Sequence, residues 1–130
     1  MFQATDCIDG DYSSICASSD EPNAWLSVKM PPNTRVAYVV VYNRIDLPSL
    51  QYMLSPYEVF IGSAYGDVTS EGTIRCGDFT APSTSAGPYT TNCGGQTAGR
   101  YITIRQTGTP ARNLILGEIE IFGPPVNVPP

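Results

Sequence analysis

The sequence predicts an all-β fold, a β-sandwich of the jelly-roll type, and three observations support this prediction. Most apolar residues fall in short runs that either alternate with polar residues or are continuously apolar, which is typical of strands. The 12 glycines and 12 prolines supply frequent turns. No segment has the apolar spacing of a helix of ordinary length. A chain of 130 residues suits one domain with a single hydrophobic core.

Two strands are predicted in the first third of the chain. Residues 25–29 alternate between apolar and polar side chains and are stopped by Pro31 and Pro32. Residues 35–42 are rich in valine and tyrosine and are apolar on both faces, as a central strand would be. The Pro-Pro-Asn sequence between the two runs predicts a turn that pairs them.

Three further strands are predicted along the middle of the chain. Residues 57–61 form a strong apolar run, and residues 72–76 form a shorter one. Residues 100–105 alternate cleanly, which predicts that Ile102 and Ile104 face inward while the arginine that follows them faces outward.

The last predicted strand covers residues 113–122. Its apolar residues change phase across Gly117, which predicts a bulge that re-aims the strand. The proline-rich residues 124–130 are interpreted as a linker or tail of polyproline type, which leaves one sandwich domain over residues 1–123. Because no signal peptide or membrane span is visible, we interpret the chain as a domain excised from a larger protein.

Four cysteines without a Cys-x-x-Cys sequence favour disulfides over a zinc site or a redox pair. The simplest of three possible connectivities is local, with Cys7–Cys16 and Cys76–Cys93, and the second pair would close a loop rich in glycine, serine, threonine and proline. Disulfides indicate an extracellular or cell-surface protein. The alternative is four buried thiols in a cytosolic protein.

The charge balance excludes several classes of function. The chain has 7 basic and 12 acidic residues, a net charge of −5 and no histidine. An acidic chain with one lysine has no basic stripe for nucleic acid or for an anionic membrane. The absence of histidine removes the usual general base and the commonest metal ligand. We therefore expect that the protein is not an enzyme.

An acidic loop near the amino terminus is the most distinctive polar feature of the sequence. Asp6, Asp9 and Asp11 surround Gly10 and are followed by two serines. Oxygen-bearing residues around a glycine suit a hard cation such as Ca²⁺, which collects six to eight oxygen ligands. Glu118, in an otherwise apolar strand, is a candidate for the distant carboxylate that such a site needs. The alternative is a set of solvated acids with no metal.

Five motifs occur in order along the chain, together with the Cys76/Cys93 pair. They are DCIDGD at 6–11, WLSVK at 25–29, VYNRID at 41–46, RYITI at 100–104 and LGEIEIFG at 116–123. In this combination the chain resembles the F-type lectin (fucolectin) family, within the broader discoidin and coagulation-factor C-domain group of galactose-binding-like jelly rolls. The resemblance covers nearly the whole chain.

The resemblance implies a structural calcium ion between the amino-terminal loop and the last strand. The implied ligands are main-chain oxygens of Asp6 and Asp11, the carboxylate of Asp9, the carbonyl of Gly117 and the side chain of Glu118. The serine ligand of the family falls on Ile15 here, so either the carbonyl of Ile15 or the side chain of Ser14 would complete the site.

The resemblance also implies a sugar site, which this chain retains in part. Fucose-binding members use a histidine, the arginine of an Arg-x-Asp sequence and a second basic residue. The matching positions read Ser18 (or its neighbour Ser19), Arg44 and about Gln51, with Asp46 orienting the arginine and Tyr12 as a stacking ring.

The sequence as a whole therefore predicts a non-catalytic, calcium-stabilised module that binds a glycan or glycoprotein, with a specificity that has moved away from fucose. The alternative is an extracellular module for protein interaction or adhesion, or a structural module, with no sugar binding.

Overall fold

The structure, a computed structural model, describes residues 8, 10, 16–18, 23–108, 112 and 114–124. In this part of the chain, nine strands and a short 3₁₀ helix occur. The strands are β1 (Cys16–Ala17), β2 (Trp25–Arg35), β3 (Tyr38–Tyr42), β4 (Tyr57–Gly62), β5 (Ile74–Phe79), β6 (Tyr89–Asn92), β7 (Ala98–Gln106), β8 (Ile115–Leu116) and β9 (Glu118–Phe122). The 3₁₀ helix covers Pro48–Met53 and lies between β3 and β4.

The strands form two main antiparallel sheets and a two-stranded ladder. The larger sheet has the order β2-β7-β4-β5, the smaller has the order β6-β3-β9, and β1 pairs with β8. Side chains from both main sheets join one hydrophobic core. The predicted all-β sandwich is therefore confirmed.

Alternation along the strands sets the two faces of the larger sheet. Ile102 and Ile104 of β7 are fully buried in the core, as predicted, whereas Arg105 is half-buried on the opposite face. A loop folds back over that opposite face, and the main-chain N–H of Gly66 in this loop donates to the hydroxyl of Ser27. Any side chain at Gly66 would overlap the ring of Trp25, so the loop can lie this close to the sheet only with glycine there.

The predicted pairing between residues 25–29 and 35–42 is wrong. Strand β2 continues to Arg35 and pairs with β7, with an irregularity between Lys29 and Thr34, whereas β3 lies in the other sheet between β6 and β9. Because β2 is an edge strand, Pro31 and Pro32 can lie in its irregular stretch without removing a hydrogen bond that a central strand would need. The chain then crosses to the second sheet.

Strand β3 is central in its sheet, as predicted, but only one of its faces is fully buried. Val39 and Val41 point into the core, while Tyr38 on the outer face is exposed. On that outer face Tyr38 lies opposite Phe122 of β9, which is also exposed.

The last predicted strand is divided in two at Gly117, so the predicted bulge is in fact a break between strands. Before the break, β8 pairs with β1, and after it, β9 pairs with β3. The change of phase at Gly117 in the sequence therefore marks the point at which the chain stops pairing with β1 and begins to pair with β3. The predicted start of this strand at residue 113 lies outside the described residues, and β8 begins at Ile115.

The disulfide between Cys76 and Cys93 is present, as predicted. It joins β5 of the larger sheet to the residue that follows β6 of the smaller sheet, so it closes one side of the sandwich. Cys16 is also disulfide-bonded, and its expected partner Cys7 lies outside the described residues. Residues 125–130 of the predicted tail lie outside them as well. Among the described helices, none is long and apolar enough to cross a bilayer.

Candidate functional site

The candidate site is the loop between β3 and β4, residues 43–56, which carries three of the predicted ligand-binding residues. Arg44 and Asp46 form a bidentate ion pair, because Nε donates to Oδ1 and Nη2 donates to Oδ2, each at 2.8 Å. The two side chains differ in exposure: 7% of the Arg44 side chain and 37% of the Asp46 side chain are exposed. The acidic end of the pair is therefore the end that faces solvent.

The ion pair stays charged over the neutral pH range. The hydrogen bond from Arg44 is the largest influence on Asp46 and lowers the pKa of its carboxyl. The hydrogen bond to Asp46 in turn raises the pKa of the Arg44 guanidinium. Parallel N–H···O bonds between a guanidinium and a carboxylate fix both planes, so the pair has a defined orientation.

Asn43 is fully buried beneath the ion pair and connects the site loop to its neighbours. Its Nδ2 donates to the carbonyls of Gln51 and Ser83, both at 2.9 Å. Its Oδ1 accepts the main-chain N–H of Arg44 at 2.9 Å. The main-chain N–H of Asn43 donates to the carbonyl of Ala86. One amide side chain thus ties together three separate stretches of chain.

Gln51 lies beside Arg44 but its amide points into the protein. It is buried, and its Nε2 donates to the main-chain carbonyl of Arg44 at 2.9 Å. Ser83, also fully buried, donates its hydroxyl to the carbonyl of Gln51 and accepts the N–H of Ser55. Because Asn43 and Gln51 hold both main-chain polar groups of Arg44, the backbone of this residue is fixed from two sides.

Three apolar side chains of the site loop are exposed to solvent. Ile45 and Leu47 flank Asp46 in the sequence, and Tyr52, with 61% of its surface exposed, follows the inward-pointing Gln51 on the 3₁₀ helix. Sequence reasoning missed Tyr52 as a candidate. The available signal was an aromatic residue in a loop, directly after the predicted ligand Gln51. On the 3₁₀ helix the side chain of Gln51 points inward and that of Tyr52 points outward.

Ser18, the residue that matches the family histidine, is engaged with the chain near β8. Its hydroxyl accepts the main-chain N–H of Leu114 at 3.0 Å, and its own N–H donates to the Leu114 carbonyl at 2.9 Å. The structure therefore groups Arg44, Asp46 and Gln51 in one loop, and it places Ser18 directly after β1, hydrogen-bonded to Leu114. Tyr12 lies outside the described residues.

The two described residues of the predicted calcium site lie at the start of β9. Glu118 is 2% exposed and lies opposite Tyr42 of β3. The main-chain N–H of Gly117 donates to the carbonyl of Tyr42 at 2.8 Å. On the other side of Gly117, Leu116 lies opposite Cys16. Cys16, the first residue of β1, therefore lies opposite the residue that directly precedes Gly117.

The remaining predicted metal ligands, Asp6, Asp9, Asp11 and Ser14, lie outside the described residues. Within the described part of the chain, no group of three or more histidine, cysteine, aspartate or glutamate side chains is arranged to hold a metal. The described candidates are the buried carboxylate of Glu118 and the main-chain carbonyl of Gly117. Both offer oxygen atoms, which are the ligands that Ca²⁺ uses.

Tyr42 connects the two candidate sites. It is the last residue of β3, it contacts the Gly117–Glu118 region through its main chain, and it is followed directly by Asn43 and Arg44. The start of β9 and the loop of the ion pair are therefore adjacent to the same residue of β3.

A family model supports the class of protein that this fold and loop define. The model for the NedA-like, galactose-binding domain of the F5/F8 type C group matches residues 6–104. Because the match covers most of the chain, the protein belongs to this family of galactose-binding-like domains, as the sequence motifs predicted. No curated protein sequence matches the chain.

Solved structures with this fold include several carbohydrate-binding modules. The lectin domain of lectinolysin complexed with Lewis B antigen is similar to this chain with a TM-score of 0.73 and 22% identity, covering 95% of this chain and 86% of that chain. A fucolectin from the serum of striped bass, Morone saxatilis, is similar with a TM-score of 0.76 and 25% identity, and the match covers 95% of this chain and 42% of that chain. The CBM32 of AlyQ in complex with 4,5-unsaturated mannuronic acid is similar with a TM-score of 0.67 and 16% identity, and the match covers 92% of this chain and 84% of that chain. The chain therefore has the fold of lectin and CBM32 modules.

Proposed function

We propose that this protein is a non-catalytic, calcium-stabilised carbohydrate-binding module of a secreted or cell-surface protein, and that the Arg44–Asp46 loop is its glycan site. The observation that carries the proposal is the exposed carboxylate of Asp46, held in place by Arg44, in a loop that also exposes the side chains of Ile45, Leu47 and Tyr52. The fold of lectin and CBM32 modules supports it.

The chemistry of this surface suits a sugar. A sugar presents hydroxyl groups and patches of C–H bonds, and it is bound by fixed polar groups next to aromatic or aliphatic side chains. Asp46 accepts two hydrogen bonds from Arg44 and still has lone pairs for hydroxyl donors. Because Arg44 is fixed at its backbone and at its side chain, little entropy is lost when a ligand binds.

A glycan array with wild type and Arg44→Ala tests the proposal. We expect wild type to bind a subset of glycans and Arg44→Ala to lose that binding by about two orders of magnitude, because Asp46 then loses both of its fixed donors. Arg75→Ala is the matched control, since Arg75 forms ion pairs with Glu58 and Asp78 on the larger sheet. Equal binding by wild type and Arg44→Ala would contradict the assignment of the site.

The calcium part of the proposal rests on the burial and position of Glu118. A carboxylate this deeply buried is costly unless donors or a cation compensate it. Three aspartates precede the β1 strand, and β1 pairs with the residues directly before Gly117. A Ca²⁺ bound between these parts would supply positive charge and tie the amino-terminal segment to β9.

We expect calcium to raise the melting temperature of EDTA-treated protein by about 5–10 °C at saturating concentration, because a ligand of the native state stabilises it by mass action. The measurement is thermal unfolding by circular dichroism across a Ca²⁺ titration. Glu118→Gln should shift the titration to higher calcium, whereas the neighbouring Glu120→Gln should leave it unchanged. A melting temperature of wild type that does not respond to Ca²⁺ would exclude the calcium site.

Protein interaction is the second candidate function, and one observation favours it. Tyr38 and Phe122 lie opposite each other on the outer face of the smaller sheet, and both are exposed. Exposed aromatic pairs are common in protein interfaces. If wild type binds no glycan on the array, the outer face of the smaller sheet at Tyr38 and Phe122 is better supported as a binding surface than the Arg44–Asp46 loop.

A further inference from the structure

The Arg44–Asp46 pair is asymmetric in what it offers a ligand. The guanidinium is almost fully covered, while more than a third of the Asp46 side chain is open to solvent. A ligand that reaches this loop therefore meets the carboxylate first. A carboxylate accepts hydrogen bonds and donates none, so it pairs with hydroxyl groups and repels other anions.

The site loop carries no further positive charge. Residues 43–56 contain one basic residue, Arg44, and one acidic residue, Asp46, which balance each other. At the position where fucose-binding relatives have a second basic residue, Gln51 is uncharged and uses its amide on the Arg44 carbonyl.

The other basic residues of the chain are described by the structure and are engaged elsewhere or lie on the larger sheet. Arg112, which contacts the end of the site loop, is buried and donates to the main-chain carbonyls of Met53, Pro56 and Thr107. Arg75 and Arg105 both pair with Glu58. Arg35 donates to the carbonyl of Gly95. The last two, Lys29 and Arg100, lie on strands β2 and β7.

We propose, on the basis of the glycan-binding function above, that Asp46 sets the charge selectivity of the site: the loop binds uncharged glycans through hydroxyl donors and rejects glycans with a carboxylate or sulfate at the contact. The exposed acid and the covered base together produce this selectivity. Removal of the Asp46 charge exposes the field of Arg44 and makes the site accept anionic glycans.

The physical basis is the local charge balance. A carboxylate ligand next to Asp46 places two like charges within a few ångströms, and the covered guanidinium is already engaged with Asp46 and not available to the ligand. A neutral hydroxyl donates to the open lone pairs of Asp46 with no such repulsion. Because the neutral complex forms no net ion pair, salt should affect it little.

The test compares matched glycan pairs on one array, each pair a terminal galactose glycan and the same glycan capped with sialic acid or oxidised to the uronic acid. Wild type should bind the neutral member roughly tenfold or more above the acidic member. Its neutral binding should change less than about twofold between about 50 and about 500 mM NaCl. Asp46→Asn should raise the acidic-to-neutral ratio by about tenfold, and its acidic binding should weaken with salt.

Asp78→Asn is the control for the loss of one negative charge, because Asp78 is exposed and pairs with Arg75 away from the site loop. Its acidic-to-neutral ratio should equal that of wild type. A circular dichroism spectrum and melting curve establish that Asp46→Asn is folded. If Asp46→Asn does not fold, two measurements on wild type test the selectivity: the ratio of its acidic to its neutral glycan binding, and the salt dependence of its neutral binding.

Two results overturn the proposal in different ways. Wild type that binds acidic glycans as well as their neutral partners, or Asp46→Asn with an unchanged ratio, contradicts the selectivity while the glycan-binding function stands. Wild type that binds no glycan of either kind contradicts the glycan-binding function, and the selectivity falls with it.

Discussion

Asn43 makes four hydrogen bonds at one buried position, and this number is close to the full capacity of the residue. Its two amide protons, its carbonyl oxygen and its main-chain N–H are all paired. Fully satisfied buried amides fix one arrangement of the surrounding chain, because every alternative leaves a polar group unpaired. We interpret Asn43 as the residue that positions Arg44.

Asn43→Ala should lower the free energy of unfolding by roughly 3 kcal/mol, since three side-chain hydrogen bonds are lost in a buried place. Chemical denaturation followed by the fluorescence of Trp25, the one tryptophan, measures this effect. Asn92→Ala is the control, because Asn92 is exposed and its side chain accepts one bond, from the N–H of Gly94. Equal losses of stability in the two variants would refute the positioning role.

The residues of the site were predictable to different degrees. Arg44 and Asp46 stand two positions apart, so their pairing follows from local geometry and the sequence motif was sufficient to suggest it. The inward direction of Gln51 was not predictable, because it depends on the Arg44 carbonyl seven positions earlier in a folded loop. Tyr52 was missed although its place in a loop beside a predicted ligand was visible, because its outward direction follows from the inward direction of Gln51.

At the scale of elements, Glu58 of β4 connects three strands on the outer face of the larger sheet. It accepts from Arg105 of β7 at 3.0 Å and from Arg75 of β5 at 2.7 Å. Burial by itself raises the pKa of Glu58, but the hydrogen bonds and charges of the two arginines outweigh burial and hold the pKa below its ordinary value of 4.5. This part of the sheet is therefore sensitive to acid.

A carboxylate whose pKa is lower in the folded than in the unfolded state stabilises the fold above the unfolded pKa, and this stabilisation is lost as pH falls through the folded pKa. Glu58→Gln should therefore be less stable than wild type at neutral pH and lose less stability between about pH 5 and about pH 2. Urea denaturation at several pH values measures how the unfolding free energy of wild type and of Glu58→Gln changes with pH. Glu71→Gln, at an exposed position, is the control, and parallel curves for wild type and Glu58→Gln would rule out the bridging role.

The strands themselves were more predictable than their partners. The runs at 57–61 and 100–105 correspond to β4 and β7, because alternation in the sequence directly reflects burial on one face. Strand β6 lies in a polar segment with no apolar pattern and was not predicted. The pairing of β2 was assigned to its neighbour in sequence and proved wrong, because the chain changes sheets at residues 36–37.

At the scale of the whole molecule, the Cys76–Cys93 disulfide cross-links the two sheets. The two cysteines are separated by 17 positions in sequence. Strands β5 and β6 are edge strands of different sheets, so without this bond the side of the sandwich is held by packing and by the connecting main chain of residues 80–88. The bond restricts the unfolded chain as well as the folded one.

The double variant Cys76→Ser/Cys93→Ser should lose roughly 3 kcal/mol of unfolding free energy, the value of a cross-link that closes a loop of this size. Guanidinium denaturation compares the variant with wild type, and mass measurement before and after reduction establishes that the remaining disulfide is intact in the variant. An unfolding free energy equal to that of wild type would show that the disulfide contributes nothing to the stability of the fold.

The sequence by itself determined the class of fold and the positions of the main strands, because these are written in local patterns of polarity. It also offered the Cys76–Cys93 bond as the simplest of three connectivities, and the family through a resemblance of motifs, and both were confirmed. The tertiary structure decided which strands pair, and it decided that Arg44 is covered while Asp46 is open to solvent. Exposure depends on segments distant in the chain, such as the Ser83 loop behind Asn43, and no pattern within the site loop specifies it.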